Sequence, residues 1–281
     1  MRFIDMHCHP PVPKYLDGPF RPFIPQLERL FGRPVPRMSP DEIADYYRSL
    51  GGRAVILGWD AEATTGLLPF TSEDVAALTA SAPDVFIGFG AISPQRPDRV
   101  SAVDRINELG LAGIKFHPSA QRFDPSDPQY RDMFERAAEH KLVCLFHTGY
   151  TALGAGLPGG GGVETRLANP MLLDALAANV PTLQIVAAHP SWPWQDEAIA
   201  AARHKPTIWL ELSGWSPKHI PDSLFEAVTQ DLTSRTLFGS DFPFITPEFW
   251  LREWEKRGAT AETTQAILHD NAARLLGLTA S

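Results

Sequence analysis

Thiols are nearly absent: Cys8 and Cys144 are the only cysteines in 281 residues, too few for a disulfide framework or a thiolate zinc site in a chain this long. Basic residues are outnumbered, 25 Lys and Arg against 33 Asp and Glu, and the formal charge of −8 repels a phosphate backbone or an anionic lipid surface. Nucleic acid and membrane are therefore not expected partners. No window reaches the roughly 18 uninterrupted apolar residues of a membrane-spanning helix. Met1-Arg2-Phe3-Ile4-Asp5 also sets an acid where a signal peptide would begin its apolar stretch, so a cytoplasmic location is expected. A glycine-rich phosphate turn is missing too: after the first apolar run the chain reads His7-Cys8-His9-Pro10-Pro11, which disfavours a doubly wound dinucleotide-binding sheet.

What is present is a regular alternation. Apolar, β-rich runs occur at 2–7, 53–59, 85–92, 113–117, 142–147, 183–189, 207–213 and 236–241. Between and after them lie helical patterns at 39–50, 72–81, 98–109, 127–140, 167–179, 194–204, 221–230, 247–257 and 260–276, with start signals such as Ser39-Pro40-Asp41. Eight strands alternating with helices predict an α/β fold, the (β/α)₈ TIM barrel, and the length is only slightly above the roughly 250 residues typical of it. No composition break marks a second domain, so 1–281 is read as one barrel. Residues 10–38, rich in Pro with Phe20, Phe23, Phe31 and several arginines, make an unusually long connection and are expected to form a lid. The loop 148–166 carries Gly154, Gly156 and Gly159 to Gly162, whose backbone N–H groups could approach an anion.

In a TIM barrel the chemistry sits at the carboxyl ends of the strands. Here those ends carry His7 and His9, then Lys115 and His117, His147, His189 and Asp241. Strand alternation puts His7 and His9 on one face and turns Cys8 toward the helices. His7, His9, His147 and Asp241 are expected to converge on the barrel axis as nitrogen and oxygen ligands of one divalent metal ion, Zn²⁺ first, with Mn²⁺ and Fe²⁺ as alternatives. His140, His204, His219 and His269 fall in helices or connecting loops and read as solvated or capping residues.

These segments resemble the amidohydrolase superfamily, in the branch that includes aminocarboxymuconate semialdehyde decarboxylase. The matching stretches are Ile4-Asp5-Met6-His7-Cys8-His9, Gly113-Ile114-Lys115-Phe116-His117-Pro118, Phe146-His147-Thr148-Gly149, Ala188-His189-Pro190, Phe238-Gly239-Ser240-Asp241-Phe242-Pro243 and the tail Asn271 to Leu276. The resemblance implies a single metal held by His7, His9, His147 and Asp241, with His189 and Asp241 moving protons. Asp5 is expected deeper on the face of His7, supporting the ligands, and Glu211 on strand seven either to serve similarly or to belong to an ion pair. Other branches hold two metals through a carboxylated strand-four lysine. Lys115 fits that layout, but His117 takes the outermost inward position, and one metal is preferred.

The expected activity is hydrolysis by a hydroxide that the metal makes available, acting on an aromatic or ring-fission acid with a reactive carbonyl, or on an aryl β-ketoacyl thioester. Non-oxidative decarboxylation of such an acid is the alternative in the same family. A metal-free or non-catalytic ligand-binding barrel is a third reading. Substrate contacts are expected from Lys115, His117, Trp194 and Trp215, with Trp192 and Phe242 nearby, and from Arg21, Arg122 and Arg166 as carboxylate clamps. The resemblance also suggests a homo-oligomer.

Overall fold

The computed structural model describes residues 2–278. Its strands are β1 (Phe3–Cys8), β2 (Gly52–Leu57), β3 (Phe86–Ala91), β4 (Gly113–Phe116), β5 (Val143–His147), β6 (Ile185–Ala188), β7 (Ile208–Glu211) and β8 (Thr236–Leu237). They pair in parallel, in chain order. The ends of this sheet meet: Met6 N donates to Phe238 O at 3.0 Å, Asp241 N to His7 O at 3.0 Å, and His9 N to Phe242 O at 2.8 Å. The expected eight-stranded barrel is thus the observed one. Strand β8 is shorter than the pattern predicts. Beyond it Gly239 passes so close to β7 that a Cβ would stand 2.0 Å from a Glu211 carboxylate oxygen.

Two apolar layers follow from strand alternation. Val55 and Leu57, Ile87 and Phe89, Val143 and Leu145, and Trp209 and Leu237 fill the lumen, while intervening residues such as Ile56, Ile114, Cys144 and Leu210 meet the helices. Cys8 belongs to the outer layer, as its parity requires. Strand β1 breaks the rule. Ile4 and Met6 are lumenal, yet His7 and His9 also face inward, because the β1–β2 register shifts between Asp5 and Cys8. A local irregularity of this kind re-aims the side chains beyond it.

Sequence pattern also sets the helices. α1 (Pro13–Asp17) and α2 (Ile24–Phe31) occupy the long connection after β1, and α3 (Pro40–Ser49) starts on a Ser39–Glu42 capping box. Pro at a first turn and Gly32 at a left-handed C-cap (φ 66°) bound α2 by ordinary stop and start rules. Gln26 of α2 donates to the carbonyls of Ala152 and Ala155 after β5. Arg33 Nη2 donates to Pro243 O at 2.9 Å and Phe244 O at 2.8 Å after β8. The 10–38 segment is therefore tied across the carboxyl ends of the strands. The predicted closing helix is broken into Ala261–Gln265, a π-turn Ala266–Asp270 and Asn271–Leu275. Among the described residues, no helix is long and apolar enough to cross a membrane.

Candidate active site

The strand ends open into a cavity of about 730 Å³. Its floor is polar. His9, Lys115, His117, His147, His189 and Asp241 line it, and Glu211 and His7 lie beneath with no solvent exposure. His7, His9 and Asp241 bring one ligand atom each within 4.8 Å of one another. Within this group Asp241 Oδ1 is 3.2 Å from His9 Nε2 and 3.6 Å from His7 Nε2. A second group of the same span joins His7, His189 and Glu211. His147 stands outside both. Its ring stacks on His117, with centroids 4.0 Å apart, and lies 4.6 Å from that of His189. Its Nε2 is buried without a hydrogen-bond partner.

Each imidazole of the floor is set from behind. His7 Nδ1 is 3.0 Å from Glu211 Oε2. Burial, followed by the charge of Lys115, holds His7 well below the usual histidine range, so the contact is a hydrogen bond of a neutral ring and not a charge pair. The Lys115 ammonium 3.1 Å from His7 Nε2 can only donate, so Nε2 carries the lone pair and the proton sits on Nδ1. His9 Nδ1 is 2.6 Å from the buried hydroxyl of Tyr15. The Ser213 hydroxyl donates to Glu211 at 2.8 Å and stands 2.9 Å from His189 Nδ1, and the Ser213 carbonyl is 3.2 Å from the same nitrogen. A carbonyl only accepts, so the His189 proton resides on Nδ1 and its Nε2 is the free base.

Burial dominates the electrostatics of the floor. It brings His189 down to about 4 against the attraction of Asp241, lowers Lys115 to about 8 and raises Glu211 to about 8. Burial also pushes Asp241 upward, but the hydrogen bond and charge of His9, with His189 and Lys115, leave it below the usual carboxylate value. Lys115 Nζ lies 3.1 Å from His7 Nε2, pointing its charge into the cluster. His189 and Asp241 both have φ of 72°, a left-handed conformation few non-glycine residues adopt. Strain of this kind concentrates where a side chain must be aimed.

Several expected positions are corrected. Asp5 does not lie beneath His7. The register break leaves it on the outward parity, where its carboxylate accepts from Tyr47 of α3 at 2.8 Å and from the Ser240 backbone and the His7 backbone at 2.8 Å and 3.0 Å. Arg21, Arg122 and Arg166 are exposed and do not line the cavity. Arg122 Nε donates to Gly162 O at 2.7 Å, and Arg166 pairs with Glu164 at 3.0 Å. The glycine run does not line the cavity either, and within it Gly160 N donates back to Leu157 O. Trp194 stands at the N-terminus of the helix Gln195–His204, outside the cavity, and Phe242 packs on Tyr46 with ring centroids 5.1 Å apart. Of the four aromatics only Trp215 lines it. His117 is at the floor, but its Nδ1 accepts from Ala120 N at 3.2 Å and Nε2 is 3.4 Å from Thr151 Oγ1, so it braces His147.

Other residues enter unannounced. Tyr15 and Ser213 hold the imidazoles, and Arg33 and His219 reach the cavity. The wall is built from Phe20, Phe31, Trp59 and Phe244, with Phe20 edge-on to Trp59 at 4.9 Å and Phe31 stacked on Phe244 at 5.4 Å. Ser213 was visible as a strand-seven Glu-x-Ser. Tyr15 carried no local signal.

This barrel and its His-rich floor match the amidohydrolase family over residues 4–278, and the chain belongs to that family as an enzyme of the amidohydrolase superfamily. No curated protein matches it. Among solved structures, it is similar to the uncharacterized TIM-barrel protein Bb4693 of Bordetella bronchiseptica (24% identity, TM-score 0.82, 99% of each chain covered). It is also similar to a dihydroxybenzoic acid decarboxylase of Polaromonas sp. JS666 solved with manganese and 2-nitroresorcinol (17%, TM-score 0.72, 99% of this chain and 98% of that one). A third likeness is to a Pseudomonas putida protein assigned as a 2-pyrone-4,6-dicarboxylic acid hydrolase (19%, TM-score 0.63, 99% and 98%). At these identities the likenesses speak for the fold.

Proposed function

We propose that this chain is a metal-dependent hydrolase of a small carbonyl-bearing organic acid, of the aromatic, ring-fission or aryl β-ketoacyl thioester type. The observation that carries the reading is the approach of Asp241 Oδ1 to His9 Nε2 and His7 Nε2 beside the buried, unpartnered Nε2 of His147. Neutral imidazoles next to an ionised carboxylate, with no thiolate, suit a divalent cation such as Zn²⁺ or Mn²⁺, which would take the place of the His9 Nε2 proton now shared with Asp241. His7, His9 and Asp241 would hold it, with His147 completing the set. When bound, such an ion supplies a Lewis acid and makes hydroxide accessible near neutral pH.

The chain's own groups do the rest. Glu211 and Tyr15 stand behind His7 and His9 at their Nδ1 atoms and orient the rings, as partners behind metal-binding histidines generally do. His189, neutral with a free Nε2, takes the proton of the attacking water and returns one to the leaving group while the carbon–heteroatom bond breaks. A metal and Lys115 cannot share the one lone pair of His7 Nε2. With His7 Nε2 engaged by a metal ion, the Lys115 ammonium that now contacts it would be available to a substrate oxygen. The wall of Phe20, Trp59 and Phe244 excludes water from that end.

The same wall favours a second reading, decarboxylation, because removing water from a carboxylate favours its departure as neutral CO₂. Incubating metal-loaded protein with a panel of aromatic acids, lactones and aryl thioesters, and following CO₂ against acid or thiol release, separates the two. Release of acid or thiol without CO₂ is expected; CO₂ release alone replaces hydrolysis by decarboxylation.

A further inference from the structure

The polar floor uses only the bottom of the cavity. At about 730 Å³ the space lies in the upper half of the roughly 300–1,000 Å³ that takes drug-sized ligands. Its remaining walls are mainly aromatic and aliphatic, among them Trp59, Leu153, Leu27 and Ile245, with Arg33 and His219 among the polar exceptions. A single-ring acid seated at the floor would leave those walls against water, forfeiting burial worth roughly 25 cal/mol per Å².

The rim continues the wall. Among the described residues, seven large hydrophobics are exposed, and four of them gather here: Leu30 (57%), Tyr150 (42%), Phe249 (37%) and Trp192 (46%). The first three line the cavity. Trp192 lies beside two lining rings, 6.1 Å from Tyr150 and 6.2 Å from Trp215. Apolar side chains collected around one opening mark a binding surface, whereas scattered ones need no explanation.

We propose that the substrate carries an apolar body at least two rings long, whose reacting carbonyl or carboxylate meets the floor and whose far end lies against Leu30, Tyr150, Trp192 and Phe249. This rests on the floor being the reacting end, as argued above. A one-ring acid fills only part of the site.

Calorimetric binding of benzoate and biphenyl-4-carboxylate to metal-supplemented protein tests it. The two-ring acid is expected to bind about 30-fold tighter, the order of affinity that burying one more ring supplies. In F249S and L30S, both changes at exposed positions, that ratio is expected to fall about fivefold or more. Equal affinities, or no binding of biphenyl-4-carboxylate at about 1 mM, would overturn the proposal. So would an oligomer in which acrylamide no longer quenches Trp192, since another copy would then own the rim. A chain that takes up no metal but keeps the two-ring preference would support the proposal while removing the metal reading. One that binds metal and shows no preference would remove this proposal alone.

Discussion

At the floor of the cavity His7, Glu211 and Ser213 hold one another within about 3 Å and are fully buried, whereas at its rim Leu30 and Phe249 are exposed apolar side chains. The floor comes from strand ends of a closed barrel, so each polar group is fixed by a partner on another strand. The upper wall comes largely from connections, with Phe20 and Phe31 on the segment after β1 and Phe244 on the loop after β8. One region has the rigidity that chemistry needs; the other can vary with the ligand it meets. Removing a floor group should therefore change metal or turnover, and removing a wall group should change substrate affinity.

The largest effect is expected at Asp241. D241N should lose stoichiometric metal, measured by plasma emission, and lower kcat about 10³-fold; a variant with full metal and normal turnover would break the division between floor and wall. Next comes Glu211. E211Q keeps the hydrogen-bonding shape but weakens the hold on the His7 tautomer, and metal affinity in a chelator competition should fall about 10- to 100-fold. Unchanged affinity would reduce Glu211 to a packing residue. W59L is the contrasting wall change: KM is expected to rise about tenfold, with metal affinity unchanged.

A smaller effect is expected from pH on chelator-treated protein. Burial lowers His189 from 6.5 to about 4 and also lowers His7, His9, His117 and His147. Below about pH 6.5 the unfolded chain takes up protons on these five rings that the folded chain refuses, so their stabilisation is lost on acidification. Asp5, raised to about 6, and Glu211, raised to about 8, act in the opposite sense, but they are two groups against five. The midpoint of thermal unfolding should therefore fall between pH 6.5 and 4.5, and a rise would contradict the neutral state of the floor.

The barrel was legible because alternation of apolar runs and helical patterns is a local property, repeated eight times. Strand-end histidines were legible for the same reason: position in a repeat fixes position in space. The side of β1 on which Asp5 lies was not, because the register break depends on pairing with β2, which no local pattern encodes. Loop residues were read least well. Arg33 enters the cavity rim while Arg21, on the same segment, does not, because Arg33 finds the Pro243 and Phe244 carbonyls, a contact between distant parts of the chain. His219 is exposed, as expected, and also lines the cavity; it reaches there on the loop after β7, whose path only the fold decides.

Titrating chelator-stripped protein with Zn²⁺ and with Mn²⁺ while following bound metal per chain is the most direct measure of whether the floor is a metal centre. One equivalent is expected, lost in D241N and H9A and retained in K115M. No uptake, or two equivalents that fall to one in K115M, would contradict the single-ion floor built on His7, His9 and Asp241.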